Sequence, residues 1–458
     1  MFDVIVIGGG PGGYAAAIRA AQLDAKVALV EADTLGGTCV NRGCIPIKVW
    51  MTAAESLRKI EQADLFGINS TVESVDFKTI VERANGVSND IRMGMGGLLG
   101  NYGVQVIEGR ASFTAPDTIE VAGNSYNAAK FIIATGSRIV LPEIPGLSDA
   151  LLTSDQALVM DVIPASVLVV GDGPMQLEFA TLLRCFGSKV SMATSSRRIL
   201  PLEGQDSNQR LAQILRENGI SLIAGKTLES VEAVDGGFAC RLSGGQGDSV
   251  IVEKVLCAPR RPNTEGLGLD KAGVDVNADG SIKVDDHLQT TAAGIYAIGD
   301  ATGGTMQSHA ASAMAVTASE NAMGQDKVFP FHLLPKGAWS FIEVASVGLT
   351  EEDADDQDLE TIVGEFPYAI NGLSMAVNQT EGSVRVVVEE KYGKILGVQI
   401  VGPHATELIG EAVTAMQFEY TVAELAAGFR VHPTFSESVV DAARDAEGWA
   451  LYLPRRQV

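Results

Sequence analysis

The sequence predicts an α/β fold with two Rossmann-like nucleotide-binding domains and a C-terminal α+β domain. The segments FDVIVIGGG, PGGYAAAIRAAQ and KVALVEA follow one another as strand, glycine-rich turn, helix and second strand. The same order returns in SVLVVGDG, PMQLEFATLLRCFG and KVSMAT. Beyond about Phe331 no glycine-rich phosphate loop occurs, and strand patterns such as VRVVVEE and ILGVQIVG alternate with helical ones. Each of the first two patterns predicts a βαβ unit, and the last predicts a sheet faced by helices.

Composition excludes several classes of partner. The chain of 458 residues is 46% hydrophobic, which is enough for several well-filled cores. It carries 57 acidic and 34 basic residues, a formal net charge of -23, so neither nucleic acid nor an anionic membrane is an expected partner. No basic region precedes the first apolar stretch and no apolar run spans a bilayer, so we expect a cytoplasmic protein.

The order of patterns also predicts where domains begin and end. The segment ATGSRIVLPEIPG ends a strand and continues into a proline-bearing linker. After the second βαβ pattern, TTAAGIYAIGDATGG returns to a strand and turn. We therefore predict a first domain formed by residues 1–145 and 271–332, a second by residues 146–270, and an interface domain over residues 333–458.

The first glycine-rich turn has the spacing of a dinucleotide site. Gly8, Gly10 and Gly13 match G-x-G-x-x-G directly after a strand, and Glu31 ends the next strand. Gly8 permits the tight turn, Gly10 lets backbone amides approach a pyrophosphate, and Gly13 allows the helix to pack closely on the strand. Glu31 is expected to accept hydrogen bonds from a ribose. These residues alone leave NAD and FAD both open.

Two cysteines lie close together soon after this turn. Cys39 and Cys44 stand in a C-x4-C spacing at the start of a predicted helix, where the helix dipole stabilises a thiolate. No second cysteine pair or histidine cluster has the spacing of metal ligands, so no metal site is predicted. Cys185, Cys240 and Cys257 lie in apolar segments and are predicted to be packing residues.

A histidine and a glutamate form a second candidate pair near the end of the chain. His432 and Glu437 lie five residues apart in HPTFSE. A carboxylate at this distance can orient an imidazole, and an imidazole titrates near neutrality, as proton transfer in thiol–disulfide exchange requires.

The segments GGTCVNRGCIPIK and HPTFSE resemble the signatures of the flavoprotein disulfide oxidoreductase family, which contains dihydrolipoamide dehydrogenases, glutathione reductases and mercuric reductases. The resemblance implies FAD in the first domain, a Cys39–Cys44 disulfide with Cys44 against the flavin, and a Lys48–Glu178 pair near the flavin. It also implies a homodimer in which His432 acts on the partner subunit's Cys39. The further residues that it assigns to the FAD site are Gly37, Thr38, Ala111, Thr135, Gly136, Asp300 and His309.

The second glycine-rich turn departs from the expected pattern. Gly171 and Gly173 align with Gly8 and Gly10, but Gln176 and Thr194 stand where Gly13 and Glu31 are found. A nicotinamide nucleotide is expected here. Without the strand-end carboxylate, and with Arg197 and Arg198 close by, the sequence leaves NAD and NADP both open.

Within the family, several segments resemble dihydrolipoamide dehydrogenases more than the other members, among them ASVGLTEEDA and GKILGVQIVGPHATELIGEAV. The chain ends in WALYLPRRQV, without the additional C-terminal cysteine pair of mercuric reductases and large thioredoxin reductases. The resemblance implies oxidation of a protein-bound dihydrolipoyl group, or of free dihydrolipoamide, with electrons passed through FAD to NAD or NADP. Two alternatives stay open: a reductase for another thiol such as glutathione, and a non-catalytic FAD-bearing subunit of a larger complex.

Overall fold

The computed structural model describes residues 1–244 and 249–454. Two compact units share the chain, and both are discontinuous in sequence. The first unit consists of Met1–Glu143, Leu152–Val162 and Cys257–Pro330. The second consists of Ile144–Leu151, Ile163–Leu256 and the chain from Phe331 onward. The four-part domain division drawn from the sequence stays a prediction.

Helices and strands alternate through most of the described chain. The helices are α1 (Pro11–Gln22), α2 (Gly37–Arg42), α3 (Cys44–Glu61), α4 (Phe77–Asn101), α5 (Leu147–Ala150), α6 (Ser154–Ala157), α7 (Pro174–Cys185), α8 (Gln205–Glu217), α9 (Leu269–Ala272), α10 (Ser308–Ala322), α11 (Glu351–Asp355), α12 (Gly372–Ala376), α13 (Ala405–Gln417), α14 (Val422–Ala426) and α15 (Glu437–Ala446). The strands are β1 (Phe2–Ile7), β2 (Val27–Glu31), β3 (Gln105–Glu108), β4 (Ala111–Ala115), β5 (Thr118–Val121), β6 (Asn124–Ile133), β7 (Ser137–Ile139), β8 (Leu151–Leu152), β9 (Ser166–Val170), β10 (Lys189–Thr194), β11 (Ser221–Ala224), β12 (Leu228–Val234), β13 (Gly237–Leu242), β14 (Ser249–Val252), β15 (Lys254–Cys257), β16 (Arg260–Pro262), β17 (Ile295–Ala297), β18 (Lys336–Trp339), β19 (Glu343–Gly348), β20 (Thr361–Pro367), β21 (Ser383–Glu389) and β22 (Ile395–Gly402).

The first unit is organised by a seven-stranded sheet in the order β3-β2-β1-β6-β5-β4, with β17 also paired to β6. β1 runs parallel to both β2 and β6, whereas β4, β5 and β6 form an antiparallel meander. Because the parallel strands are covered on both faces, β1 and β2 are nearly continuous runs of buried apolar residues. Their carboxyl ends meet at one edge, where α1 and α2 begin.

Helices α1 and α10 pack against each other in the first unit. Small residues permit the close approach, since Ala16, Ala17 and Ala20 are fully buried and the Ser319 hydroxyl donates to the Ala16 carbonyl at 3.0 Å. The buried carboxylate of Glu320 pairs with Arg19 and with Lys327. Hydrogen bonds from these two cations lower the pKa of Glu320.

The second unit contains the second predicted βαβ unit. Strands β9 and β10 are parallel neighbours joined by α7, in a sheet of order β11-β10-β9-β15-β8. A three-stranded antiparallel sheet, β12-β13-β14, follows in the chain. The repeat of strand, turn, helix and strand seen in the sequence is therefore present in both units.

The C-terminal part of the second unit is an antiparallel sheet in the order β18-β19-β22-β21-β20. Helices α13, α14 and α15 pack on this sheet through a core that includes Val398, Ile400, Ala412 and Val439. The predicted fold class, two Rossmann-like parts followed by an α+β part, is confirmed. No helix in the described part of the chain has both the length and the apolar character needed to cross a membrane.

Candidate active site

The two cysteines of the C-x4-C motif lie on two consecutive helices, not on one as the sequence predicted. Cys39 is inside the short α2 and is half-buried, whereas Cys44 is the first residue of the 18-residue α3 and is exposed. Gly43 separates the helices with a non-helical backbone. All cysteines of the described chain are free thiols, so the structure represents the dithiol form. The sulfur of Cys44 therefore lies at the positive end of a long helix dipole.

The two thiols of this pair interact directly. A hydrogen bond with Cys44 raises the pKa of Cys39 far above its ordinary value, and burial raises it further. The hydroxyl of Ser308 and the charge of Lys48 act in the opposite direction. Ser308 lies 3.3 Å from the Cys44 sulfur at the start of α10. Because a negative charge on one thiol hinders ionisation of its neighbour, the first charge on the dithiol is favoured at Cys44, which lies at the helix start and beside Ser308.

Several hydrogen bonds fix the position of α2. The amide of Asn41 donates to the carbonyl of Gly37 at 2.8 Å and to that of Leu35 at 3.0 Å. Arg92 in turn donates to the Asn41 side chain at 2.7 Å. These contacts hold the helix that carries Cys39 against the end of β2 and against α4.

The glycine-rich turn of the first unit has the shape of a dinucleotide cradle. A Cβ atom at Gly8 would collide with the Ala134 carbonyl, and one at Gly13 would collide with the Gly8 carbonyl. Gly10 precedes α1 and no side chain caps the helix there. Glu31 accepts the amide of Gly9 at 2.6 Å. The turn therefore presents backbone N–H groups at a helix start beside a fixed carboxylate, which fits the pyrophosphate and ribose of FAD.

A second set of polar groups lies along the same unit. Asp300 accepts the Ser137 hydroxyl at 2.6 Å, and Arg260 donates to that hydroxyl at 2.8 Å. Arg260 also donates to the Thr38 hydroxyl at 3.0 Å. Burial lowers the pKa of the Arg260 guanidinium, while the charge of Asp300 opposes the shift. Arg260 thus ties the residue before Cys39 to the predicted flavin carboxylate.

The remaining predicted FAD residues also belong to the first unit. Thr135 and Gly136 follow β6, and the Thr135 hydroxyl is buried without a hydrogen-bond partner in the described chain. Gly37 lies against Gly10, where a Cβ on Gly37 would come within 2.9 Å of the Gly10 Cα. Ala111 begins β4 with its side chain in the core, so only its backbone is free to meet a ligand. His309 is the exposed second residue of α10.

Lys48 and Glu178 lie in different units. Lys48 is in the second turn of α3, on the same helix as Cys44, and its charge lowers the pKa of Cys39. Glu178 is buried in α7 of the second unit. Their pairing stays a prediction.

His432 and Glu437 form a hydrogen-bonded pair in the second unit. The imidazole Nδ1 lies 2.9 Å from one carboxylate oxygen of Glu437, and the other accepts the Thr434 amide at 2.8 Å. The carboxylate is largely buried at the start of α15, whereas the His432 side chain is 75% exposed. The pair therefore has an exposed imidazole that is oriented through Nδ1, as a proton-transfer group needs.

The glycine-rich turn of the second unit is filled more closely than the first. Gly171 and Gly173 both have positive φ angles, of 124° and 133°. The Gln176 side chain packs over both of them, and the Gly173 amide donates to the Ile199 carbonyl at 3.1 Å. Thr194 is buried and its hydroxyl donates to the Ser196 carbonyl at 2.8 Å. A carboxylate is nevertheless present, since Asp172 in the turn accepts the Ser195 hydroxyl.

The two arginines after β10 differ in their surroundings. Arg198 pairs with Glu352 at 3.2 Å and donates to the Glu203 carbonyl at 3.2 Å. Arg197 is exposed, and its side chain passes beside Gly225. Arg197 is therefore the more exposed of the two, although the Arg198 side chain is also 38% exposed.

Sequence reasoning missed four polar residues of these sites: Ser137, Asp172, Arg260 and Ser308. Arg260 was the most visible, as a charged residue after the buried strand β15, and Asp172 interrupts a glycine turn. Nothing local marks Ser308, which meets Cys44 only through the fold. For the other cysteines, burial raises the pKa of Cys240 and Cys257 to about 11 each, which suits inert packing residues.

The fold and these sites together define a class of protein. It has two nucleotide-type βαβ units, an asymmetric dithiol at a helix start beside the first of them, and an imidazole–carboxylate pair in its C-terminal part. That combination is an oxidoreductase of the thiol–disulfide type.

The chain belongs to the pyridine nucleotide-disulphide oxidoreductase family. Residues 2–315 match the model of that family, and residues 334–443 match the model of its dimerisation domain. The chain is 38% identical to dihydrolipoyl dehydrogenase of Thermus scotoductus and 36% identical to one from Bacillus subtilis, each over 99% of both chains. Among solved structures it resembles LpdA from Mycobacterium tuberculosis, with a TM-score of 0.89, 27% identity and coverage of 96% and 99% of the two chains. It also resembles the HOCl-induced flavoprotein disulfide reductase RclA from Escherichia coli, with a TM-score of 0.85, 27% identity and coverage of 96% and 98%. The family resemblance predicted from the cysteine and histidine motifs is confirmed.

Proposed function

We propose that the protein oxidises a dihydrolipoyl group through the Cys39–Cys44 pair and passes the electrons through FAD to a nicotinamide nucleotide. The observation that carries the proposal is the asymmetry of the thiol pair. Cys39 is the thiol whose ionisation is disfavoured, and Cys44 is the thiol at the helix start. A pair that divides its charge in this way supports exchange with a substrate at one sulfur and electron transfer at the other.

The exchange begins from the disulfide form of the pair. A substrate thiolate attacks the Cys39 sulfur, a mixed disulfide forms, and Cys44 leaves as a thiolate. The second thiol of the substrate then attacks the substrate sulfur that is bonded to Cys39, and Cys39 is released. His432 takes up a proton in this sequence, and Glu437 holds the imidazole Nδ1 so that the other nitrogen is the acceptor. The substrate loses two electrons and two protons and becomes the lipoyl disulfide.

FAD, when bound, accepts the electron pair from the dithiol and passes it on as a hydride. The groups that support its binding are the amides of the Gly8–Gly13 turn, the Glu31 carboxylate and Asp300. Asp300 is held in place by Ser137 and Arg260. Lys48, on the helix of Cys44, would place a positive charge beside the reacting sulfur.

A homodimer is supported by the chain around His432. Phe429 is 98% exposed and Val431 is 77% exposed, and both lie in the region that matches the dimerisation domain. Apolar side chains so close to a proposed catalytic residue need a cover, and in a symmetric dimer the same surface of a second copy supplies it. We therefore propose that His432 serves the partner subunit's Cys39. Five cysteines in a chain of 458 residues do not make the disulfide framework of a secreted protein, and we propose the cytoplasm.

Anaerobic titration of the purified holoenzyme with dihydrolipoamide tests the proposal. We expect bleaching of the flavin and the appearance of a long-wavelength band from a thiolate beside it, followed by recovery on addition of NAD or NADP. If the spectrum does not change with dihydrolipoamide but responds to glutathione, the substrate is glutathione and not a dihydrolipoyl group. If it responds to neither thiol, the protein is a non-catalytic subunit.

Cys44→Ser separates the roles of the two sulfurs. Because Cys44 is the proposed thiolate beside the flavin, this variant should retain bound FAD and lose the long-wavelength band. Cys185→Ser, outside the pair, is the matched control and should keep the band. Persistence of the band in the Cys44 variant would contradict the assignment.

A further inference from the structure

In the first βαβ unit, one carboxylate connects the glycine turn with the chain that follows the second strand. Glu31, at the end of β2, accepts the amide of Gly9 at 2.6 Å and the amide of Asp33 at 2.8 Å. Gly9 is the middle residue of the glycine turn, and Asp33 lies two positions beyond the end of β2. The carboxylate therefore lies between the turn and the chain that follows the strand, where the ribose of a bound nucleotide is recognised.

In the second unit a carboxylate also connects the glycine turn with the chain after the second strand. Here the carboxylate belongs to the turn, whereas in the first unit it belongs to the end of the strand. Asp172 is the middle residue of the turn Gly171-Asp172-Gly173. Its Oδ2 accepts the Ser195 hydroxyl at 2.5 Å and the Ser196 amide at 3.1 Å. Ser196 lies two positions beyond the end of β10, as Asp33 does beyond β2. The loss of a strand-end carboxylate at Thr194 is thus accompanied by the gain of one in the turn.

We propose that Asp172 is the residue that selects the nicotinamide nucleotide, replacing the absent strand-end carboxylate and directing the second unit to NAD(H) over NADP(H). Its carboxylate accepts a hydrogen bond from a ribose hydroxyl, and its negative charge repels a 2′-phosphate. Asp172 Oδ1 is buried and accepts no hydrogen bond within the described chain, so the carboxylate retains acceptor capacity. The inference rests on the proposed function in one respect, that a nicotinamide nucleotide occupies this unit.

The two arginines that follow β10 do not outweigh this carboxylate. Arg198 is engaged with Glu352 and with a backbone carbonyl, so its charge is already paired. Thr194 directs its hydroxyl to the Ser196 carbonyl and offers no donor to a phosphate. Arg197 is exposed, where its interaction with a phosphate is weakened by solvent and salt. Asp172 is therefore the charge held in place at the position of the ribose.

Gln176 carries no charge that distinguishes NAD from NADP. Its side chain lies over Gly171 and Gly173. The amide is neutral and treats the shared pyrophosphate of NAD and NADP alike. Selectivity then depends on the one group that distinguishes them, the 2′ substituent.

Binding of NADH and NADPH to the FAD-loaded dimer, measured by nucleotide fluorescence and calorimetry, tests the proposal independently of turnover. The wild-type protein should bind NADH roughly tenfold or more tightly than NADPH, the range that one hydrogen bond to a charged group supplies. Asp172→Asn and Asp172→Gly should each reduce that ratio by roughly tenfold. Asp172→Gly with Thr194→Glu recreates the Gly9 and Glu31 pattern and should restore the preference for NADH.

Asp235→Asn is the matched control, because Asp235 is an exposed carboxylate in the turn between β12 and β13. It should leave the ratio unchanged. The proposal is overturned by tighter or equal binding of NADPH in the wild type, by an unchanged ratio in both Asp172 variants, or by the absence of binding of either nucleotide. Anaerobic reduction by dihydrolipoamide is measured separately, so its failure would overturn the proposed function while a ratio governed by Asp172 would still establish this inference.

Discussion

At the scale of single residues, the structure indicates which of the two sulfurs is favoured to carry a negative charge. Cys44 has two groups that favour a thiolate: the start of α3 and the Ser308 hydroxyl at 3.3 Å. The charge of Lys48, on the same helix, lowers the pKa of Cys39. Cys39 is half-buried, and its partner raises its pKa. Charge on one sulfur makes the second ionisation harder, so the two thiols titrate as a coupled pair.

Ser308→Ala should make the first ionisation of the dithiol harder. A hydroxyl that donates to a thiolate stabilises the charged form, so its removal raises the pKa of the pair by roughly one unit. In the two-electron-reduced enzyme, the long-wavelength band should then appear at higher pH. A spectrophotometric pH titration measures its midpoint. Ser308→Thr, which keeps the hydroxyl, should titrate as the wild type does, and equal midpoints for all three proteins would show that Ser308 has no such role.

At the scale of secondary-structure elements, periodicity carried most of the prediction. The two βαβ units and the C-terminal strands β19, β21 and β22 were visible, because buried parallel strands and amphipathic helices leave regular apolar patterns. The break between α2 and α3 was not predicted, although Gly43 at the junction is a residue of low helix propensity. Ser308 and Arg260 were not predicted as site residues because their partners lie more than 200 residues away in the sequence.

The start of α8 contains a buried carboxylate with a pH-dependent energetic cost. Glu203 lies just before this helix, and the Ser346 hydroxyl of β19 donates to one of its oxygens at 3.0 Å. The other oxygen is buried without a hydrogen-bond partner in the described chain. Burial raises the pKa of Glu203 above its ordinary value of 4.5, although Lys336 opposes the shift. Since the folded state binds the proton more tightly, the ionised carboxylate reduces stability as the pH rises above 4.5.

Glu203→Gln should therefore stabilise the protein more at pH 8 than at pH 5, by about 1 kcal/mol in the free energy of unfolding. The neutral amide keeps an acceptor for Ser346 and avoids burial of a charge. Denaturant unfolding at the two pH values measures the difference. The exposed Glu232→Gln is the control and should show no such dependence. A loss of stability that is equal at both pH values would mean that the carboxylate acts through its contacts and not through its charge.

At the scale of the whole molecule, the chemistry is divided between the two compact units of the chain. The dithiol and the first nucleotide turn belong to one unit, and the His432–Glu437 pair belongs to the other. The dimerisation-domain match and the exposed apolar residues beside His432 favour an active site completed by a second subunit. In that arrangement each subunit contributes a thiol pair to one site and an imidazole to the other, so a defect in either group affects a different site of the dimer.

Two inactive variants should consequently restore activity when they share a dimer. Cys39→Ser removes the thiol that meets the substrate, and His432→Gln removes the proton acceptor, so each homodimer should be inactive with dihydrolipoamide. In a mixed dimer, the His432→Gln subunit contributes an intact thiol pair and the Cys39→Ser subunit contributes an intact imidazole to the same site. The other site receives both defects. Random assembly on co-expression makes half of the dimers mixed, each with one working site of two, so about a quarter of wild-type activity should return. Differently tagged subunits allow the mixed dimer to be purified and assayed with dihydrolipoamide and a nicotinamide nucleotide. If His432 served the thiols of its own chain, every site in the mixture would carry one defect and the activity would stay at the level of the parent variants.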